Sequence, residues 1–189
     1  MRRLLIGAAM LCGMTLLVSI FTAPVFADRD HDDEDYRIQR GYNISPVPLN
    51  LRRLDPDLVG IGSYIVNTSG CNDCHTNPPF AEGGDPFMGE KEQIYVAGYL
   101  AGGTEFGPFT SRNLTPRGTD RLPAGLTLQQ FTQAMRKGTD FKNRHPEISP
   151  LLQVMPWPVY GKLATSDIKA VYEYLRAIPC VGSAERCGS

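Results

Sequence analysis

The run Cys71-Asn72-Asp73-Cys74-His75 sets two cysteines three apart and a histidine directly after the second. Three chemistries use C-x-x-C: structural zinc, redox dithiols and covalent haem attachment. Each demands something different of the rest of the chain. A zinc site needs four ligands, usually completed by a second C-x-x-C or a spaced histidine pair. Beyond residue 27 the only other candidates are His31, His145, Cys180 and Cys187, and they show no such spacing. A thioredoxin-like dithiol belongs at a strand-to-helix junction in a βαβ pattern. Here the run follows a helical pattern and precedes a loop rich in proline and glycine. Haem c needs two cysteines on one helical turn, so that both sulfurs reach one porphyrin as thioethers. It also needs a histidine beside them to meet the iron. Cys71, Cys74 and His75 meet those needs, so the sequence reads as a c-type haem attachment site.

The N-terminus supports export. Arg2 and Arg3 precede a mostly apolar run, Leu4 to Ile20, and Pro24 and Ala27 stand where a cleavage site needs them. Residues 1–27 therefore read as a signal peptide and the chain as periplasmic. The alternative is an uncleaved membrane anchor, since the run is about long enough to span a bilayer. With cleavage no membrane span remains. Loss of Arg2 and Arg3 also leaves acidic residues in excess, which makes nucleic acid an unsuitable partner. Roughly 160 residues follow, enough for one domain with one core. In an exported chain Cys180 and Cys187 are free to form a disulfide across a short loop.

Residues 28–54 read as an acidic, extended N-terminal arm, because clustered Asp and Glu repel one another and Pro46 and Pro48 favour extended backbone. A first helix is expected from Asp55, a capping residue followed by Pro56, to about Thr68, with Leu58, Ile61, Tyr64 and Ile65 on one face. Residues 76–122 carry turn signals and a β-type stretch at 93–100 that suggests a short hairpin. Loops this long inside a compact domain usually serve a site or wrap a cofactor. A second helix is expected from Thr127 to Lys137, stopped by Gly138. A third runs from Thr165 to Ala177, capped by Thr165 or Ser166 and stopped by Pro179.

Iron held by His75 has an opposite face to fill. Met88 lies in a loop close to the motif. Met135 falls on the apolar face of the second helix, where packing explains it. His31 lies in the acidic arm, and His145 is a loop histidine before Pro146. Met155 is the preferred ligand and His145 its alternative. Pro156 and Pro158 stiffen the backbone beside Met155, and Trp157 and Tyr160 can wall off the haem edge.

Residues 60–76, 102–116, 126–140 and 151–179, in that order and spacing, carry a resemblance. The chain resembles class I c-type cytochromes, and more closely the cytochrome c domains found with periplasmic alcohol and sugar dehydrogenases. The resemblance implies an all-α cytochrome c fold over residues 55–179. First and last helices would cross around a covalently bound haem, with long loops and a separate tail at 180–189. Gly60 and Tyr64 would meet Val171 and Tyr174 at that crossing, and Arg112 or Asn113 would contact a propionate. It also implies Cys71 and Cys74 as anchors and His75 and Met155 as iron ligands. Filled axial positions point to one-electron transfer rather than catalysis. The expected partners are periplasmic redox proteins: a dehydrogenase donor and a cytochrome or oxidase acceptor. The alternatives are an electron-exit subunit of a dehydrogenase and, further off, a haem peroxidase or gas sensor.

Overall fold

A computed structural model describes residues 26–141 and 149–188, with side chains from residue 32 onward. Residues 1–25 of the leader segment, His145 and the side chain of His31 lie outside the described residues. The elements are helices α1 (Phe26–Ile44), α2 (Pro56–Thr68), α3 (Cys71–His75), α4 (Leu128–Lys137), α5 (Trp157–Tyr160), α6 (Thr165–Ala177) and α7 (Ala184–Cys187). Four two-residue strands make two antiparallel hairpins. In the first, β1 (Glu105–Phe106) pairs with β2 (Phe109–Thr110). In the second, β3 (Pro116–Arg117) pairs with β4 (Leu122–Pro123). The architecture is thus mostly helical with long loops, consistent with a cytochrome c fold. The stretch at 93–100 is not a hairpin: Ile94 makes a single bridge to Phe80, and Val96–Gly98 is a 3-10 turn. Gly98 within the stretch favours turning over pairing.

The core is built where α2 crosses α6 and where α1 lies against α2. Val59, Val66, Ile168, Tyr174 and Leu175 are fully buried there. Small residues set the approach. A Cβ on Gly62 would overlap the carbonyl of Ala170 on α6. A Cβ on Gly41 of α1 would overlap the carbonyl of Gly60 on α2. This corrects the expected pairing. Gly62, not Gly60, faces Tyr174, while Gly60 meets Ile38 and Tyr42 of α1. Tyr64 likewise turns toward α1, with the Arg37 guanidinium 5.6 Å from its ring centre.

The acidic segment is also corrected, since it is helical to Ile44 and only the stretch beyond is irregular. Its anchors lie past the acid cluster. Ile38, Gly41 and Tyr42 recur at helical spacing and pack onto α2. Arg37 pairs with Asp167 of α6 at 3.2 Å, and Ser63 donates to the Gly41 carbonyl at 2.7 Å.

Helix ends follow their residues. The Asp55 carboxylate accepts from the N–H groups of Asp57 and Leu58. Thr127 and Gln130 form a reciprocal capping box at the start of α4, and Gly138 ends it with φ +66°. The expected cap at Thr165 or Ser166 is absent, because Ala164 takes the cap position with no side-chain bond. Arg121 completes the far end of α6, donating to the carbonyls of Arg176 (2.7 Å) and Ile178 (2.6 Å). Deep in the core, the Tyr99 hydroxyl donates to Asn67 Oδ1 at 2.6 Å and lies 3.0 Å from the Tyr174 hydroxyl. That network ties a loop to α2 and α6. Cys180 and Cys187 are joined in a disulfide, as expected.

Candidate functional site

A left-handed Gly70 (φ +70°) swings the chain from α2 into the single turn of α3. Residues three apart on one turn share a face, so Cys71 and Cys74 stand side by side. Both thiols are free and border one cavity, which His75 and Met155 also line. The cavity measures about 190 Å3 and its walls are chiefly apolar. Leu114, Phe131, Met135, Tyr160 and Leu175 form much of the remainder. The structure therefore gathers residues 71–75 and 155 at one place.

His75 is held from two sides. Its carbonyl accepts from Gly102 N–H at 2.6 Å. Its Nδ1 lies 2.7 Å from the Arg112 carbonyl oxygen. A carbonyl only accepts, so Nδ1 carries the proton and donates. Nε2 then keeps its lone pair for a metal. Burial pushes the imidazole pKa below its ordinary value, against the opposing pull of the Arg112 carbonyl. Neutral imidazole is the coordinating form.

The thiols are pushed the other way. Burial raises Cys71 to about 12, helped by Cys74 and Asp73. Cys74 is also raised, chiefly by burial. A redox dithiol works through a thiolate of depressed pKa. These thiols lack that electrostatic setting, which weighs against dithiol chemistry.

Met155 sits in a segment clipped at both ends. Thr139 bridges Leu151, and Leu152 N–H donates to the Gly138 carbonyl at 2.7 Å. After it, the Trp157 indole N–H donates to the Leu152 carbonyl at 3.2 Å. The indole ring lies against Gly138, so Trp157 locks the segment and does not line the cavity. Tyr160 does line it, and its hydroxyl donates to the Ser69 carbonyl at 2.7 Å. Among the other candidates, Met88 is 77% exposed on a 3-10 turn and Met135 is packed into the core at the cavity wall.

The two propionate candidates part company. Asn113 is committed: Oδ1 accepts from Thr115 and Arg186, and Nδ2 donates to the Val181 carbonyl. Arg112 lines the cavity and grips the Asp140 carboxylate with one nitrogen at 2.6 and 2.7 Å. Its Nε is buried without a partner. The hold of Arg112 on His75 and on Asp140 was not foreseen. A backbone acceptor leaves no mark in sequence, and Asp140 lies 28 residues from its partner.

Known proteins extend these observations. Over 136 residues, 72% of the chain, it is 28% identical to the fructose dehydrogenase cytochrome subunit of Gluconobacter japonicus. It is 30% identical over 120 residues to the cytochrome c subunit of the quinone alcohol dehydrogenase of Gluconobacter oxydans (strain 621H). The gluconate 2-dehydrogenase cytochrome c subunit of Pantoea cypripedii is 32% identical over 117 residues. The chain is thus similar to cytochrome c subunits of three dehydrogenases. It covers only 24%, 21% and 22% of those three cytochrome subunits, less than a quarter of each. No protein-family profile and no solved structure matches it.

Relationship to cytochromes c implies covalently bound haem c with its iron, and the residues present fit that group. Two thiols at thioether spacing, an imidazole with Nε2 free and a soft thioether share one apolar cavity. An unpartnered buried donor, Arg112 Nε, stands ready for an anionic oxygen. Among the described residues no helix is long and apolar enough to cross a membrane.

Proposed function

We propose that the chain is an exported, single-haem c-type cytochrome that passes electrons one at a time between periplasmic redox proteins. The cavity shared by α3 and Met155 carries this reading. Cys71 and Cys74 would anchor haem c as thioethers, with His75 as proximal and Met155 as distal ligand. Haem c supplies the one-electron chemistry, and the protein tunes and orients it.

Each residue then has a defined task. Arg112 fixes the His75 tautomer through its carbonyl. Its buried, unpartnered Nε would be the donor for a propionate oxygen. Met155 offers a weak, soft ligand held by the Trp157 and Leu151 clips, which favours a more positive potential than a second histidine would. Apolar walls exclude water and disfavour the extra ferric charge. With His75 and Met155 both holding the iron, no open site would be left for a substrate, so electron transfer fits better than peroxidase or gas-binding chemistry.

A second reading is an electron-exit subunit fixed to a dehydrogenase. It is favoured by the relatives being dehydrogenase subunits.

Purification of the exported chain tests both. One covalent haem per chain by mass, with a ferric sulfur-to-iron charge-transfer band that Met155→Ala abolishes, is the expected result. A high-spin ferric wild type would defeat the six-coordinate reading. Stable copurification of a dehydrogenase polypeptide would favour the subunit over the free carrier.

A further inference from the structure

The C-terminal tail is more than a trailing end. It returns across the loop that supplies the Arg112 carbonyl. The Cys180–Cys187 disulfide closes the tail into a small ring with α7 inside it. From that ring Arg186 reaches inward. Its Nη2 donates to Asn113 Oδ1 at 2.8 Å and to the Thr115 carbonyl at 3.0 Å. Its Nε donates to the Val181 carbonyl at 3.1 Å.

The loop answers with bonds of its own. Asn113 Nδ2 donates to the Val181 carbonyl at 2.9 Å, and Val181 N–H donates to Thr115 Oγ1 at 3.1 Å. Thr115 is wholly buried, and its hydroxyl donates to Asn113 Oδ1 at 2.6 Å. Gly118 N–H donates to the Arg186 carbonyl at 2.8 Å, closing the lattice. One residue before Asn113 stands Arg112, whose carbonyl is 2.7 Å from His75 Nδ1.

We infer that Arg186, clipped in place by Cys180–Cys187, is a positioning residue that clamps Asn113 and Thr115 and thereby fixes the Arg112 carbonyl on His75. The inference rests on the haem reading above and deepens it. A planar guanidinium suits the task, since it offers several donors in fixed directions to carbonyl and amide oxygens, which a lysine ammonium cannot do. The consequence for function is electronic. A firm Nδ1–H to carbonyl bond makes the imidazole a more basic ligand. A more basic ligand favours ferric iron and holds the midpoint potential down. Loosening the clamp therefore raises the potential.

Charge alone predicts the opposite. Removing the Arg186 charge would favour the ferric form and lower the potential. The sign of the shift thus separates positioning from simple electrostatics.

The test is the midpoint potential of the haem-loaded chain, compared between wild type, Arg186→Met and Arg186→Lys. Both variants are expected to shift it upward, the lysine less. Hydrogen exchange at His75 Nδ1, followed by NMR in the ferrous state, should quicken in step. The double variant Cys180→Ser/Cys187→Ser, which leaves Arg186 in place, should move both readouts the same way by a smaller amount. It keeps the inference testable if Arg186→Met does not fold. An unmoved or lowered potential with covalent haem present, whatever happens to melting temperature, overturns the clamp and leaves the cytochrome reading intact. A wild-type chain that carries no covalent haem overturns both.

Discussion

At the residue scale, Arg112 joins groups that lie far apart in the chain. Its carbonyl steadies His75, and its guanidinium holds Asp140 beside the segment that leads to Met155. The Asp140 side chain is only 8% exposed, so solvent does little to screen the pair. Asp140→Asn leaves a cation uncompensated in a largely apolar wall. A loss of about 3 kcal/mol in denaturant unfolding of the loaded protein is expected. The tyrosine network makes a prediction about alkaline stability. Burial first, and Tyr174 second, raise the Tyr99 pKa far above its ordinary 10.0. A raised pKa means that the fold favours the protonated phenol. Its contribution is complete below about pH 10 and is lost as the pH climbs beyond that. Melting temperature measured from about pH 8 to 11 should fall at the alkaline end, and Tyr99→Phe should flatten that fall. That Cys71, Cys74, His75 and Met155 share one cavity was legible because C-x-x-C-H has a fixed spacing and Pro156 and Pro158 mark Met155 out. The Arg112 carbonyl was not, because every residue offers one.

At the scale of elements, helix packing depends on where glycine permits two backbones to touch. Gly62→Ala would drive a methyl into the Ala170 carbonyl and the Tyr174 side chain, neither of which can yield without moving α6. A cost of about 3 kcal/mol is expected in equilibrium unfolding. Gly60→Ala presses mainly on the Ile38 and Tyr42 side chains of α1 and should cost less. The order of the two effects checks the corrected pairing directly. Thr127→Ala, which removes one half of the α4 capping box, should cost about 1 kcal/mol by the same measurement. Sequence set the ends of α2 and α4 closely, since caps and stops are local signals, while at the start of α6 the expected side-chain cap is missing. It missed α1 because a run of like charges dominates the first half of that helix. The anchors Ile38, Gly41 and Tyr42 come only afterwards and gain their meaning from α2. The crossing partners were also hidden: Gly60 and Gly62 differ by two positions, and propensity cannot say which faces which helix.

At the scale of the whole molecule, the cavity left without haem is a cost that the rest of the fold has to carry. At about 24 cal/mol per Å3 for a closed, dry void, the 190 Å3 of this partly open pocket costs at most roughly 4–5 kcal/mol. Net stabilities of domains run to about 5–15 kcal/mol, so an unfilled cavity removes much of the margin. Cys71→Ser/Cys74→Ser, which removes both thioether anchors, should lower the melting temperature by roughly 10–20 °C, followed by circular dichroism. The walls come from segments as far apart as Ile65 and Leu175, so a gap there weakens the molecule as a whole. Loading is thereby written into the lifetime of the chain. A loss of at most roughly 4–5 kcal/mol raises the open population by up to about three orders of magnitude, and proteases sample that population. Chains that miss their haem would therefore be cleared by proteases sooner than loaded ones.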